Sequence, residues 1–404
     1  MKIKLVSLIL IVMGISFIFP RFPHFSVALA RGIDMLHLML LGVLLLAICF
    51  KSRRNVPTSN IIILMLLYSV CIIIGNINGM MLGFFSLRDL GDLYRPALWI
   101  ISIYLGAYLA MYDKDKLFKL IQIVSVFSLF VAVFQKMGFN FLYHLYAGGH
   151  HIVSNRTTGI AQDFADYSFI QALGASVFFY KFRENRKSFD LLMVFILCFS
   201  VLLSTSKAGL ALIGGMLIYF ASSLFVDKKV SLGYKLLIII SFVACIIVGY
   251  RYVAGNESFY REVTMLLVRD ESLPSISERQ DNHRFVNYMI FENISIGTLI
   301  GYGGSSLIDD AYIEVAVLTV LYRTGLLGLV VYYLIFTAVL FRLYKEKELR
   351  VFMILVLGAV IIDMFAAMTN RLLGINMLFL IYGYAINKKQ IDNENIIYIN
   401  RSVV

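Results

Sequence analysis

Four polar segments interrupt an otherwise apolar chain, and each has residue types that can hold an anion or move a proton. The first is Asn155-Arg156-Thr157-Thr158-Gly159-Ile160, followed by Asp163, Asp166 and Tyr167 at the expected head of a helix. An Arg before a Gly turn and a helix start offers charge and backbone donors to an anion. The same residues also read as a turn and an N-cap beside a solvated Arg. The second is Ser204-Thr205-Ser206-Lys207-Ala208-Gly209, between two apolar runs. Lys207 either snorkels to the surface or points into the bundle, where an ionisable group is costly and usually functional.

The third segment is Ser277-Glu278-Arg279-Gln280-Asp281-Asn282-His283-Arg284-Phe285. Arg284, Tyr288 and Glu292 follow at i, i+4 and i+8, one face of a helix. That helix is expected to run to Ile296-Gly297. The turn Ile300-Gly301-Tyr302-Gly303-Gly304 comes next, and its glycines let backbone approach a ligand. No strand precedes it, so it is not a nucleotide loop. The fourth segment, Asp309-Asp310-Ala311-Tyr312, heads a long apolar run that carries Arg323. Paired carboxylates at a membrane interface act as a general base or as N-caps. His150-His151 lacks a further ligand cluster, so no metal is expected. Cys49, Cys71, Cys198 and Cys245 lie far apart in apolar runs, against a disulfide framework or a zinc site.

The elements that must position these segments follow from composition. The chain is 60% hydrophobic and 15% charged, too few polar groups to cover a soluble surface of 404 residues, so lipid is the expected solvent. The expected fold is all-α, a polytopic membrane helical bundle and a single membrane domain over 1–404. About twelve transmembrane helices are expected, at about 3–19, 34–50, 60–82, 96–112, 117–138, 165–181, 188–205, 208–226, 232–253, 313–343, 350–368 and 372–387. The tenth is long for one crossing, and its first part is expected to lie outside or tilted, entering near Gly325. The N-terminus resembles a signal peptide but lacks a small-x-small cleavage site, and is read as a retained first helix.

Basic clusters fall on alternate connections, among them Lys51-Ser52-Arg53-Arg54, Lys114/Lys116/Lys119, Lys181 to Lys187, Lys228/Lys229 and Arg342 to Arg350. The positive-inside rule puts them, and both termini, in the cytoplasm. It also accounts for the net charge of +11 without nucleic acid. Two outer loops are long, 139–166 and 254–310, the second large and late in the chain. Outer basic residues are mostly Arg, including Arg21, Arg88, Arg95, Arg156, Arg279, Arg284 and Arg323, whereas the inner ones are mostly Lys. A guanidinium grips phosphate oxygens in pairs, which favours an anionic ligand outside. The competing reading is that each outer Arg pairs with a carboxylate.

Taken in order from Asn155 to Gly328, these segments resemble the O-antigen polymerase and O-antigen ligase superfamily. The parallels are Arg156 to Gly159 before a helix, Thr205-Ser206-Lys207-Ala208-Gly209 at an outer helix end, Arg284 opening a loop helix that closes on Gly301-Tyr302-Gly303, and Asp310 ahead of Gly325-Leu326-Leu327-Gly328. Lys207 stands where the family often has Arg. No His follows His283, where ligases typically place one, which favours a polymerase.

The resemblance implies a GT-C-like glycosyltransferase of the bacterial cytoplasmic membrane. It would polymerise undecaprenyl-pyrophosphate-linked repeat units of O-antigen, capsule or exopolysaccharide on the outer face. Asp310, Asp309 and Arg284 would be catalytic. Arg156, Lys207, Arg279, Tyr288, Tyr312 and Arg323 would bind substrate. No metal or cofactor is implied. The partners would be the lipid-linked oligosaccharide, the bilayer, a chain-length regulator and a flippase. The rivals are an O-antigen ligase and a polysaccharide flippase, although the twofold self-similarity of rocking transporters is not visible.

Overall fold

The computed structural model describes residues 2–23, 25, 27–51, 60–83, 87–147, 156–227, 233, 235, 240, 243, 247, 288, 292, 295–303, 315–364, 368–369 and 373–402. They form helices and turns, with no strand among the described residues. The helices are α1 (Lys2–Ile18), α2 (Val27–Lys51), α3 (Asn60–Met81), α4 (Tyr94–Lys136), α5 (Phe141–Tyr146), α6 (Phe164–Asn185), α7 (Ser188–Ser200), α8 (Lys207–Val226), α9 (Ile296–Ile300), α10 (Ala316–Lys345), α11 (Arg350–Ile362) and α12 (Leu373–Ser402).

Among the described residues, five segments are long and apolar enough to cross a membrane: Gly32–Phe50, Asn60–Met81, Gly91–Lys136, Lys207–Val226 and Ala316–Lys345. Their outward faces carry exposed Met39, Val43, Ile63, Leu66, Leu327 and Val330. Apolar faces of that extent suit lipid rather than water, and the architecture is that of a helical membrane protein.

Several boundaries differ from the sequence reading for local reasons. The spans expected at 96–112 and 117–138 are joined in α4, whose only non-helical residue is Asp113, with φ −167° and ψ 92°. Asp113 Oδ1 accepts from the Lys116 N–H at 3.1 Å and restarts the helix. The expected 350–368 span stops as helix at Ile362. Buried Asp363 there takes the Met368 and Thr369 N–H groups, each at 2.8 Å, and turns the chain. In the tenth span, expected to enter the membrane near Gly325, the helix is broken at that residue, with φ +66° and ψ −173°. Of the expected span 232–253, only isolated helical residues are described.

The core is built on α6, whose residues 165–180 are all buried. Ser168 and Ser176 donate back to the Phe164 and Ala172 carbonyls. Gln171 Nε2 donates to the Ser125 carbonyl at 3.2 Å, while the buried Gln171 Oε1 has no hydrogen-bond donor among the described residues. The first half of α12 crosses α4 with backbones in contact. A Cβ on Gly106 would sit 2.1 Å from the Leu380 carbonyl oxygen, and one on Gly383 2.1 Å from that of Ile103. Trp99 fills the space beside this crossing, against Phe379, with ring centroids 5.2 Å apart.

One end of the bundle is a network of lysines and carboxylates. Lys114 pairs with Glu184 at 2.9 Å, and Lys181 with Glu184 at 3.1 Å and with Asp115. Lys388 pairs with Glu348 at 2.7 Å, and the edge-to-face contact of Phe118 with Tyr384 lies between the two groups. Of the connections expected to share one side by their basic charge, those of Lys114, Lys181 and Lys388 lie at one end of the bundle.

Candidate functional site

The opposite end holds the polar segments that are described. Asp163 caps α6, accepting from the Ala165 and Asp166 N–H groups at 2.8 and 2.9 Å. The turn before it sits on buried Gln135, in the last turn of α4. Gln135 Oε1 accepts from the Thr158 and Gly159 N–H groups, both at 3.0 Å. Its Nε2 donates to Thr158 Oγ1 at 3.3 Å and to the Gly159 carbonyl at 3.2 Å. Gly159 has φ +56°, and a Cβ there would lie 2.4 Å from Ser128 Oγ. Glycine is required twice over, by conformation and by space.

The backbone donors expected to bind an anion are thus taken by the protein's own Asp163 and Gln135. What the turn presents is Arg156, half-buried, with its guanidinium 5.0 Å from the centroid of the Phe164 ring.

This turn meets the Lys207 segment. The Thr157 N–H donates to the Leu203 carbonyl at 3.4 Å, which joins the two polar segments across the head of α6. Residues Val201–Ser204 form a 3-10 turn, and Thr205 then adopts a left-handed conformation with φ +49°. Buried Ser206 caps α8 by accepting from the Gly209 N–H at 3.1 Å. Lys207 is half-buried in the first turn of α8, where the helix dipole disfavours a cation unless negative charge lies near.

Asp166, expected only as part of a helix head, does something else. Its carboxylate accepts from Leu373 N–H at 3.2 Å and Gly374 N–H at 2.9 Å, capping α12 from another helix.

A second polar group lies at the broken helix α10. Arg323 forks onto Asp92, with Nη1 at 2.7 and 2.8 Å from its two carboxylate oxygens, and Arg95 lies 4.0 Å from the same Asp92. The break at Gly325 turns the Tyr322 and Arg323 carbonyls outward, and the Gly301-Tyr302-Gly303 turn docks there. Tyr302 N–H donates to the Tyr322 carbonyl at 2.8 Å, and Gly303 N–H to that of Arg323 at 3.2 Å. The glycines expected to admit a ligand instead admit another stretch of the same backbone. The crevice beside Arg323, between Tyr68, Asp92, Arg95 and Thr319, measures about 10 Å³, room for about one water and not for a sugar.

The loop helix also departs from expectation. A separate helix, α9, begins where the sequence reading ended one, because Ser295 and Thr298 form a reciprocal cap. Tyr288 and Glu292 are exposed. Arg279, Arg284, Asp309, Asp310 and Tyr312 lie outside the described residues, as does His150-His151.

Among the arginines expected outside whose side chains are described, Arg21, Arg95 and Arg323 each lie within 4.0 Å of a carboxylate, the Arg21 bond to Asp34 being 2.6 Å. For these three the competing reading, charge pairing inside the protein, is the observed one. Sequence reasoning missed Asp92, Gln135 and Asp363. Asp363 carried the clearest signal, a lone carboxylate near the end of an apolar run. Gln135 carried almost none. Among the described residues no group of three or more His, Cys, Asp or Glu side chains is arranged to hold a metal. The chain matches no protein-family model, no curated protein and no solved structure.

Proposed function

We propose that the protein is a membrane glycosyltransferase that polymerises lipid-linked repeat units of a bacterial surface polysaccharide. It would be a GT-C-like bundle of about twelve transmembrane helices, with both termini cytoplasmic and its site on the outer face of the cytoplasmic membrane. One observation carries the reading. The Arg156 and Lys207 segments, about fifty residues apart, touch through the Thr157–Leu203 hydrogen bond at the end of the bundle away from the lysine network. Two segments that each carry a cation, joined by that hydrogen bond, suit a diphosphate.

In the reaction, the terminal sugar hydroxyl of one lipid-linked unit attacks the anomeric carbon of the growing glycan. The new glycosidic bond forms as the bond to undecaprenyl pyrophosphate breaks. Arg156, Lys207 and Arg284 stabilise charge developing on the leaving pyrophosphate. Asp310 or Asp309 accepts the hydroxyl proton.

The test is the glycan ladder of a deletion strain complemented with variants at matched expression. Wild type restores long chains. Arg284→Ala is expected to leave single repeats, a loss of about 100–1,000-fold in turnover. Asp310→Asn is expected to do the same, since an amide cannot take the proton. Single repeats with the vector alone support a polymerase. Full-length lipid-linked polymer that never reaches its acceptor identifies a ligase, and repeat units trapped inside identify a flippase.

A further inference from the structure

A groove of about 660 Å³ runs between α1 and the second half of α4. Ile11, Ile15 and Ile18 form one wall, and Leu120 and Ile123 the other. Its volume lies in the range of small-ligand sites, about 300–1,000 Å³. Unlike those sites, it has almost no polar group along its length. The polar side chains are at one end, where Lys116 and Lys119 line the mouth on the lysine-rich end of the bundle. Pro20 and Tyr146 close the other end.

We propose that this groove binds one acyl chain of an anionic phospholipid, with its phosphate held by Lys119 and Lys116. Charge and length select this occupant. Lys116 is shared with Asp113 at 3.0 Å. Asp115, the other nearby carboxylate, is engaged by Lys181. Lys119 is exposed and has no carboxylate within 4.0 Å among the described residues. A phosphate at the mouth meets net positive charge, while a zwitterionic headgroup gains less.

The wall from Leu10 to Ile18 is roughly 12 Å long. That is close to the roughly 15 Å that one leaflet contributes to a hydrocarbon core of about 30 Å. It suits a phospholipid tail and is short for a long polyisoprenoid. Exposed Ile11, Ile15 and Ile123 supply the contact surface without belonging to the buried core. The site is independent of the glycosyltransferase reading and stands or falls on lipid binding alone.

The experiment reconstitutes purified protein into vesicles of equal phosphatidylglycerol and phosphatidylcholine with a minor polyisoprenyl phosphate. The protein is re-extracted in mild detergent, and the retained lipid is counted by mass spectrometry. Wild type is expected to retain phosphatidylglycerol about five-fold over phosphatidylcholine, the preference one interfacial lysine provides. Lys119→Gln is expected to bring that ratio near one while total retained lipid stays similar. Ile15→Trp/Ile123→Trp is expected to lower the total. If that double variant is not monodisperse, Ile11→Trp carries the same test. Equal retention of the two phospholipids by wild type, a preference that Lys119→Gln does not change, retention unaffected by filling the groove, or polyisoprenyl phosphate held in place of phospholipid would each overturn the proposal.

Discussion

The side chains that organise the candidate site are mostly neutral or already paired, and this governs how they respond to substitution. Gln135 holds the Arg156 turn by four hydrogen bonds from a buried position. Gln135→Ala leaves the buried Thr158 and Gly159 N–H groups without an acceptor, at about 1–3 kcal/mol each. A clear fall in thermal unfolding temperature in detergent is the expected result, and an unchanged transition would show that the turn is held by other means. The Arg323–Asp92 pair poses a different question, whether Arg323 serves substrate or fold. If its role is structural, Arg323→Ala and Asp92→Ala should cause similar loss, and the double variant little more. A coupling energy of about 0.5–3 kcal/mol would fit that role, and additive losses in glycan ladders would give Arg323 a contact of its own. The Arg156 and Lys207 segments were legible in the sequence because charge is scarce in this chain, at 15% of residues. Their true anchors were not. Gln135 is one amide at the end of an apolar run, and nothing in its neighbours says that it faces a turn some twenty residues on.

At the level of helices, apolar run length predicted α1, α3, α6 and α8 closely, because about 20 residues must span lipid whatever the packing. Ends set by a single side chain were harder to see. Asp113 lets two spans be assigned as one helix, and Asp363 stops α11 early, each through hydrogen bonds to backbone further along. The special place of Gly325 in the tenth span was legible, but the docking of the Gly301 turn against it was not. Gly325 adopts a conformation nearly exclusive to glycine, and a Cβ there would lie 2.3 Å from the Leu299 carbonyl oxygen. Gly325→Ala should therefore cost more than the roughly 1–3 kcal/mol of backbone strain alone, and undock the turn at Gly301. Gly42→Ala in α2 is the control: nothing lies within 4 Å, so it should be neutral or gain up to about 1 kcal/mol. Proteolysis rates of the two variants in membranes distinguish them, and equal rates would mean that the break is not needed.

Across the whole molecule, the separation of a lysine-rich end from the end bearing Arg156 and Lys207 makes orientation testable. Ser275→Cys in intact cells should react with an impermeant thiol reagent; protection until lysis would reverse the assignment. The lysine-rich end should also respond to acid. Burial alone would raise the Glu184 carboxyl, but hydrogen bonds from Lys114 and Lys181 outweigh it and hold the group below its ordinary value. A depressed carboxylate contributes stability above its unfolded pKa, and loses it as pH falls through the folded value. Stability should thus decline below about pH 4.5, the ordinary value of a Glu carboxyl. Glu184→Gln should remove part of that decline, about 0.2–1 kcal/mol for a partly exposed network. Parallel pH curves for the two proteins would exclude Glu184 as a contributor.

The clamp of Asp166 on α12 reaches beyond the finished fold into its biogenesis. The carboxylate is made 207 residues before the Leu373 N–H that it accepts. A ribosome still translating the intervening chain has already delivered α6 to the membrane with two of that acid's donors, the Leu373 and Gly374 N–H groups, not yet made. The head of α6 cannot reach its final form until the last helix arrives, so a chain cut short before residue 373 carries its own mark of incompleteness. Membrane quality-control proteases should clear such truncations faster than full-length protein, because the head of α6 lacks the helix that it caps.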